Sequence, residues 1–252
     1  MLGEVLPAEA YVFTLILMRL GPLVMLMPVL GDRSIPARVR MGLAFALSLI
    51  IYGIHADKIP PMPPQLFNLF TLMIQELLIG SMLALTARIL LAATHTAGTV
   101  IAFQTGLAAA QSFDPAQGSQ SVIVASFVSL TAITMIVVTD LHHVMIQGFA
   151  HSYIKFPVGE AIPYVDFAAL IARFVADSFA LGFQLAAPFI VYGLVFNTSL
   201  GLVARMVQGF QVFFVGMPMN LFMGFFLMSL LIGSFMELFL DRFETHLLSY
   251  LG

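Results

Sequence analysis

Charge is what this chain has least of. Asp, Glu, Lys and Arg make up 9% of its 252 residues, where a soluble domain carries about 25%. Apolar side chains make up 60%, and mean hydropathy is +1.02. Such a composition is that of an integral membrane protein. The net charge of −3, with no basic stripe to neutralise phosphates, argues against a nucleic-acid partner. Cysteine is absent, which excludes disulfides, thiolate metal sites and thiol nucleophiles, in whatever compartment the chain resides. Tryptophan is absent as well. Anchoring at the membrane interface then falls to Tyr and Phe, for example Tyr11, Tyr52, Tyr153 and Tyr164. Catalytic signatures are missing too: no His-Glu-x-x-His, no Gly-x-Ser-x-Gly, no phosphate-binding glycine loop. Neither an enzyme nor a cofactor is expected.

What is present is apolar sequence long enough to cross a bilayer. Charge-free runs extend from Ser178 to Ala204 and from Met206 to Met236, with Arg205 between them. Each exceeds the roughly 20 residues of helix that span a hydrocarbon core. Helices are expected at Ala8–Leu30, Arg40–Ile54, Leu66–Thr94, Ala97–Ala110, Ser121–Thr139, Phe167–Thr198 and Val212–Arg242. Loops fall at Gly31–Arg40, His55–Pro64 and Ser152–Asp166. The fold class is all-α: a polytopic membrane protein of about six to seven long helices, kinked, broken and arranged as hairpins. No soluble domain and no internal repeat is visible, so residues 1–252 read as a single membrane domain. Met1–Ala10 carries Glu4 and Glu9 and no basic residue, unlike a positive leader, and the first apolar stretch is expected to stay in the mature protein. Arg33, Arg38 and Arg40 place the first loop in the cytoplasm and the N-terminus outside.

Several apolar stretches are badly shaped for plain spanning helices. Pro22 and Pro28 interrupt the first, Pro188 the sixth and Pro218 the seventh. Proline removes a donor and kinks a helix, and inside a membrane the freed groups must be satisfied by neighbours. So many kinks point to helices bent to fit partners, or held outside the bilayer. Charges embedded in these stretches need partners, an aqueous cavity or an interface. Arg19 and Glu76 are expected to be buried, paired with each other or with another chain, and leucine at either is expected to impair co-assembly more than folding. Arg88, Arg205 and Glu237 lie within or at the ends of apolar stretches and are candidates for a subunit interface or for burial. For Asp140, Arg205 and Glu237 the plainer reading is a helix end at the headgroup layer. Adjacent His142 and His143 beside Asp140 point about 100° apart on a helix, a poor chelating geometry, so no metal is expected. With His151 they read as membrane-surface histidines.

One segment resists being a helix. Between Arg88 and Asp140 the sole charged residue is Asp114, inside a strip running from Gln104 to Ser121. The strip is polar but neutral, and it is broken by Gly106, Pro115 and Gly118. Apolar runs flank it on both sides. It is either an aqueous hairpin loop or a backbone excursion facing a cavity, since non-helical backbone at membrane depth must be satisfied by protein or water. Three function classes fit these features: an export-gate subunit, a proton-coupled small-molecule transporter, and a membrane scaffold. A transporter should show a mid-membrane substrate site and often inverted repeats, and none is visible.

The landmarks, in order, resemble a known family. They are Arg19-Leu-Gly-Pro22 with Pro28, then Gly31-Asp-Arg-Ser-Ile-Pro36-Ala-Arg38, and Glu76-Leu-Leu-Ile-Gly80. Next come Gln104-Thr-Gly106 with Phe113-Asp-Pro115, and Asp140-Leu-His-His143 with Ser152 and Pro157. Ala187-Pro188 with Asn197, and Ala204-Arg205 followed by Val212-Phe-Phe-Val-Gly-Met-Pro218, complete the set. The chain resembles the FliR-type export-gate family of bacterial flagellar type III secretion, whose relatives serve virulence injectisomes. Gln208-Gly209 stands where that family usually has Pro-Gln, which leaves the local turn open. The resemblance implies a non-enzymatic subunit built like its two smaller gate partners joined end to end. It implies assembly with several copies of each partner and with further export-apparatus membrane proteins. The gate would sit in the inner membrane at the centre of the flagellar basal body, partly raised to the periplasmic side, and pass unfolded secreted proteins.

Within that resemblance the pore-blocking plug corresponds to Gln104–Ser121. Gly106, Ala108, Ala109 and Ala110 allow close packing, and Phe113 can act as an apolar stopper. Gln104, Gln111 and Gln117 can hydrogen-bond across a narrow lumen without a fixed charge that would trap substrate. Asp114 with Pro115 shapes a turn, and Gly118 keeps the strip pliable. Hydrophobic constrictions gate by excluding water.

Overall fold

The computed structural model describes residues 2–32, 35–107, 123–160, 164–206 and 212–251. Among them are seven α-helices, one 3-10 turn and no strand. The helices are α1 (Leu2–Leu26), α2 (Ala37–His55), α3 (Leu66–Gln104), α4 (Ile123–Val138), α5 (Leu141–Lys155), α6 (Tyr164–Met206) and α7 (Val212–Leu251). Five stretches of helix are long and apolar enough to cross a membrane, or six if α4 and α5 together count as one broken span. The chain is thus a polytopic helical membrane protein.

The boundaries differ from expectation for identifiable reasons. α1 stops at Leu26 instead of Leu30 because Pro28 cannot continue a helix and disfavours helical backbone at the residue before it. The chain then turns through Val29, whose φ is 74°, and closes with the Gly31 amide donating to the Met27 carbonyl at 2.8 Å. Pro28 is therefore a terminator of α1, whereas Pro22, Pro188 and Pro218 lie inside continuous helices. The expected interruption between Thr94 and Ala97 does not exist, and α3 runs 39 residues. Its threonines hide their polarity by bonding back along the helix: Thr94 to the Leu91 carbonyl, Thr96 to Ala92, Thr99 to His95. Thr198 and Ser199 do the same to Leu194 and Val195, and α6 continues past them to Met206. No helix is expected over most of α5, and its last residues from Ser152 fall in an expected loop, because His142, His143, Gln147 and His151 blur its apolar pattern. Ser152 returns its hydroxyl to the Phe149 carbonyl at 2.7 Å, and Pro157 follows the helix end.

The chain forms two compact units. The first comprises Met1–Ile89, Ile136–Phe174 and Phe243–Gly252. Here α1 and α2 pack together, with Phe13 edge-on to Phe45 at 5.0 Å between ring centres. Leu15, Ile16, Leu23, Met145 and Phe243 are fully buried, and Ile79 with Phe167 forms a further apolar cluster closed by Met82, Leu83, Phe156 and Leu170. α3 crosses α1 closely at Gly80, where any Cβ would run into the Arg19 carbonyl. Small residues permit such backbone approach between membrane helices.

The second unit comprises Leu90–Met135 and Val175–Arg242. Its buried residues include Ala93, Ala97, Ile101, Val128, Ala132, Leu185, Phe189 and Phe239. Phe189 and Phe235 pack at 6.0 Å between ring centres, and the Thr94 and Ser129 hydroxyls meet at 3.1 Å.

Candidate functional site

Within the first unit the two embedded charges are partners. Arg19 and Glu76 are 0% and 1% exposed, and the guanidinium grips both carboxylate oxygens, Nε to Oε2 at 2.5 Å and Nη2 to Oε1 at 2.8 Å. The remaining donors are also used. Nη1 reaches the Ser152 hydroxyl at 3.3 Å, and Nη2 reaches the Phe156 carbonyl at 2.9 Å. The guanidinium carbon lies 4.0 Å from the centre of the Tyr153 ring, and that ring stacks on His55 at 5.3 Å. A planar five-donor group suits this role, since it can bind a carboxylate bidentately and stack on an aromatic face at once. Arg19 therefore ties α1 to α3 and α5, through α5's C-terminal turn.

This resolves the alternative that sequence left open, and it moves the expected effect of a leucine substitution from co-assembly to the folding of the chain itself. Tyr11 and Tyr153 are buried instead of anchoring at an interface. Tyr153 is drawn in by the cation above it. Ser152 and Tyr153 are structural partners that spacing could not reveal, because they lie more than a hundred residues from Arg19 in sequence.

Arg88, Arg205 and Glu237 are exposed on the chain; Arg205 stands in the last turn of α6, but Arg88 and Glu237 lie inside α3 and α7 and not at helix ends, because both helices run on past them. Asp140 precedes α5 with a left-handed φ of 59°. That backbone brings its carboxylate to His143 Nδ1 at 3.2 Å, and the rings of His142 and His143 lie 4.0 Å apart. Ligand atoms of Asp140, His142 and His143 come within 4.8 Å of one another, so these side chains converge more than uniform helical spacing implies. Asp140 stands outside the helix, which frees its carboxylate from that spacing.

Within the second unit, the neutral strip departs from the end of α3. Gln104 is the last residue of the helix, and Gly106 follows in the left-handed region with φ 77°. This is the usual glycine stop, where a residue without Cβ takes a conformation costly to others. The helix expected to reach Ala110 therefore ends earlier. Of the expected plug residues, Gln104 and Gly106 are described; Gln111, Phe113, Asp114, Pro115, Gln117 and Gly118 lie outside the described residues.

Two residues that sequence reasoning did not single out meet the strip's root. Asn220 of α7 donates from Nδ2 to the Gln104 carbonyl at 3.2 Å, and the Tyr192 hydroxyl of α6 donates to Asn220 Oδ1 at 2.7 Å. An amide within an apolar run of α7 was the available signal, since such groups need hydrogen-bond partners when buried. Beside them opens a cleft of about 400 Å³ lined by Phe103, Gln104, Phe196, Asn197, Met217 and Asn220 among others.

Comparison with known proteins identifies the family. Residues 10–246 match the family described as bacterial export proteins, family 1. A flagellar biosynthetic protein FliR from Caulobacter vibrioides is 40% identical over 94% of each chain. The Bacillus subtilis FliR is 32% identical, over 86% of this chain and 84% of its own length. The Yop proteins translocation protein T of Yersinia pestis is 24% identical, over 87% and 85% respectively. The chain belongs to bacterial export protein family 1 and is a membrane component of the flagellar protein export apparatus.

Proposed function

We propose that this chain is a non-enzymatic wall subunit of the flagellar export gate, and that residues 104–121 form a plug facing its lumen. The observation that carries this reading is the junction at Gly106. A 39-residue apolar helix stops there at a left-handed glycine, and the sequence beyond is neutral, amide-rich and small. A plug must seal against ions yet yield to a passing polypeptide. Gln104, Gln111 and Gln117 offer hydrogen bonds without charge, Phe113 excludes water, and Asp114-Pro115 with Gly106 and Gly118 lets the backbone fold away. Unfolded secreted proteins are the substrates.

The surfaces of the individual helices support an assembled state. Phe67 is 78% exposed and Met206 is 82% exposed, with Leu66, Leu194, Phe222 and Leu230 also open. Such area is covered by lipid or by other subunits. The partners in this reading are two smaller multi-copy gate proteins of the bacterial inner membrane, at the centre of the basal body and partly raised toward the periplasm. Arg88, Arg205 and Glu237 meet those partners. Pro22, Pro188 and Pro218 bend their helices to follow the assembly.

Deleting residues 111–118 tests the reading. The complex should still assemble, and cells carrying it should leak potassium ions and small solutes. Unaltered permeability in cells with a fully assembled deletion variant would refute the plug. Gentle extraction of a tagged chain tests the subunit role: two small membrane partners in multiple copies are expected, and a lone chain or homodimer would refute it.

A further inference from the structure

The turn into α5 gathers an aspartate and two histidines at one point of the first unit, and its backbone is unusual there. Asp140 has φ 59°; among the described non-glycine residues only Val29 shares a positive φ. Backbone of this kind costs free energy and gathers where a side chain must be aimed, ligand clamps included. An aspartate at the N-cap ordinarily accepts from the first amides of its helix. Asp140 makes no such bond. Its Oδ1 turns instead to His143, 3.2 Å from Nδ1.

Adjacent side chains leave a helix about 100° apart, yet the rings of His142 and His143 close to 4.0 Å between centres. One ligand atom from each of Asp140, His142 and His143 lies within 4.8 Å of the other two. Ligands held at roughly 2.0–2.1 Å from one tetrahedral zinc ion stand about 3.3–3.5 Å from each other. The Asp140–His143 pair is already close to that separation. His142 must turn its ring to complete the set, and its Nδ1 has no hydrogen bond to give up. The side chains of Asp140 and His143 are 76% and 63% exposed, so an ion can reach them from solution.

We propose that Asp140, His142 and His143 form a binding site for a divalent ion of the zinc class. Two imidazoles and a carboxylate suit Zn2+, Ni2+ and Cu2+, whereas Mg2+ and Ca2+ favour sets made of oxygen. The ion takes the place of the proton between Oδ1 and Nδ1, and the imidazole of His143 then carries its proton on Nε2. The carboxylate has a second duty, because a helix N-terminus is positive and repels a cation; the charge of Asp140 offsets that. Three protein ligands leave a fourth position for water. Once bound, the ion fixes the turn that starts α5, the helix whose C-terminal turn meets Arg19 through Ser152.

The test uses the full-length chain with the subunits that accompany it, purified on a tag without histidine and washed with a chelator. Zn2+ is titrated against a chromophoric competitor, and Co2+ is followed by its visible absorption. The parent is compared with His142→Ala, His143→Ala and Asp140→Asn, which cancels any ion held by other subunits. The parent should bind one ion per chain through this site. Each substitution should weaken that ion by at least about tenfold, the smaller loss seen even when an indirect partner of a metal ligand is removed. Zinc should also raise the thermal midpoint of the parent and not of the variants, since a ligand of the folded state stabilises it. Should an alanine variant fail to fold, Asp140→Asn and His143→Gln are read in its place. Zinc uptake and Co2+ absorption that are the same in parent and variants overturn the site. Displacement of the ion by Mg2+ at comparable concentration overturns the assigned class.

Discussion

Arg19 of α1 holds both carboxylate oxygens of Glu76 in α3, and neither side chain is more than 1% exposed. Removing one partner leaves the other buried and uncompensated, which costs about 3–5 kcal/mol in comparable sites. Arg19→Met or Glu76→Met alone should therefore lower the thermal midpoint and the yield of folded chain sharply. The double variant should be closer to the parent than either single one, since apolar pairs of similar volume replace buried ion pairs at little cost. Unfolding midpoints of the purified variants check this. Additive losses in the double variant would show that the two residues do not act as a pair.

Tyr153 lies under the same guanidinium, 4.0 Å from its carbon. A desolvated cation over an aromatic face is worth up to about 2 kcal/mol. Tyr153→Phe keeps the face and should leave the thermal midpoint nearly unchanged, whereas Tyr153→Leu should lower it. Equal effects from both substitutions would assign the contribution to the hydroxyl instead of the ring.

Gly80 faces the Arg19 carbonyl with no room for a methyl group. Gly80→Ala should push α1 off α3 and strain the ion pair beside it. Overpacking of this kind costs about 1–3 kcal/mol. Limited proteolysis of the membrane-inserted variant should show faster cleavage in the first unit, and a parent-like pattern would contradict the close crossing.

Gly106 adopts φ 77°, a left-handed conformation that costs other residues roughly 1–2 kcal/mol. Gly106→Ala should loosen the end of α3, and Gly106→Asn should do so less, because asparagine tolerates this region. Hydrogen exchange across residues 101–107 distinguishes the two. If alanine and asparagine behave alike, backbone conformation is not what this glycine supplies.

Sequence alone displayed the helical membrane class, the buried character of Arg19 and Glu76, and a break in helix near Gly106, though not that α3 ends at Gln104. Each leaves a local trace: a charge amid apolar residues, or a glycine after a helix. It did not display that Arg19 pairs with Glu76, or that Ser152 and Tyr153 complete the site, because those contacts join residues far apart in the chain. Helix continuity at Thr94 and Thr198 was hidden for a different reason. A hydroxyl counts as polar in any pattern, yet here it returns to its own helix's carbonyls. Asn220 leaves no such trace, because one amide in an apolar run gives no hint of the carbonyl it serves.

The central claim is that residues 104–121 close a conduit which the assembled chain helps to line. Its most direct test is ionic conductance of the purified, fully assembled complex in planar bilayers, with and without residues 111–118. The predicted result is a silent parent complex and discrete, ion-conducting openings in the deletion variant. A deletion complex of full subunit composition that stays as silent as the parent would contradict the claim.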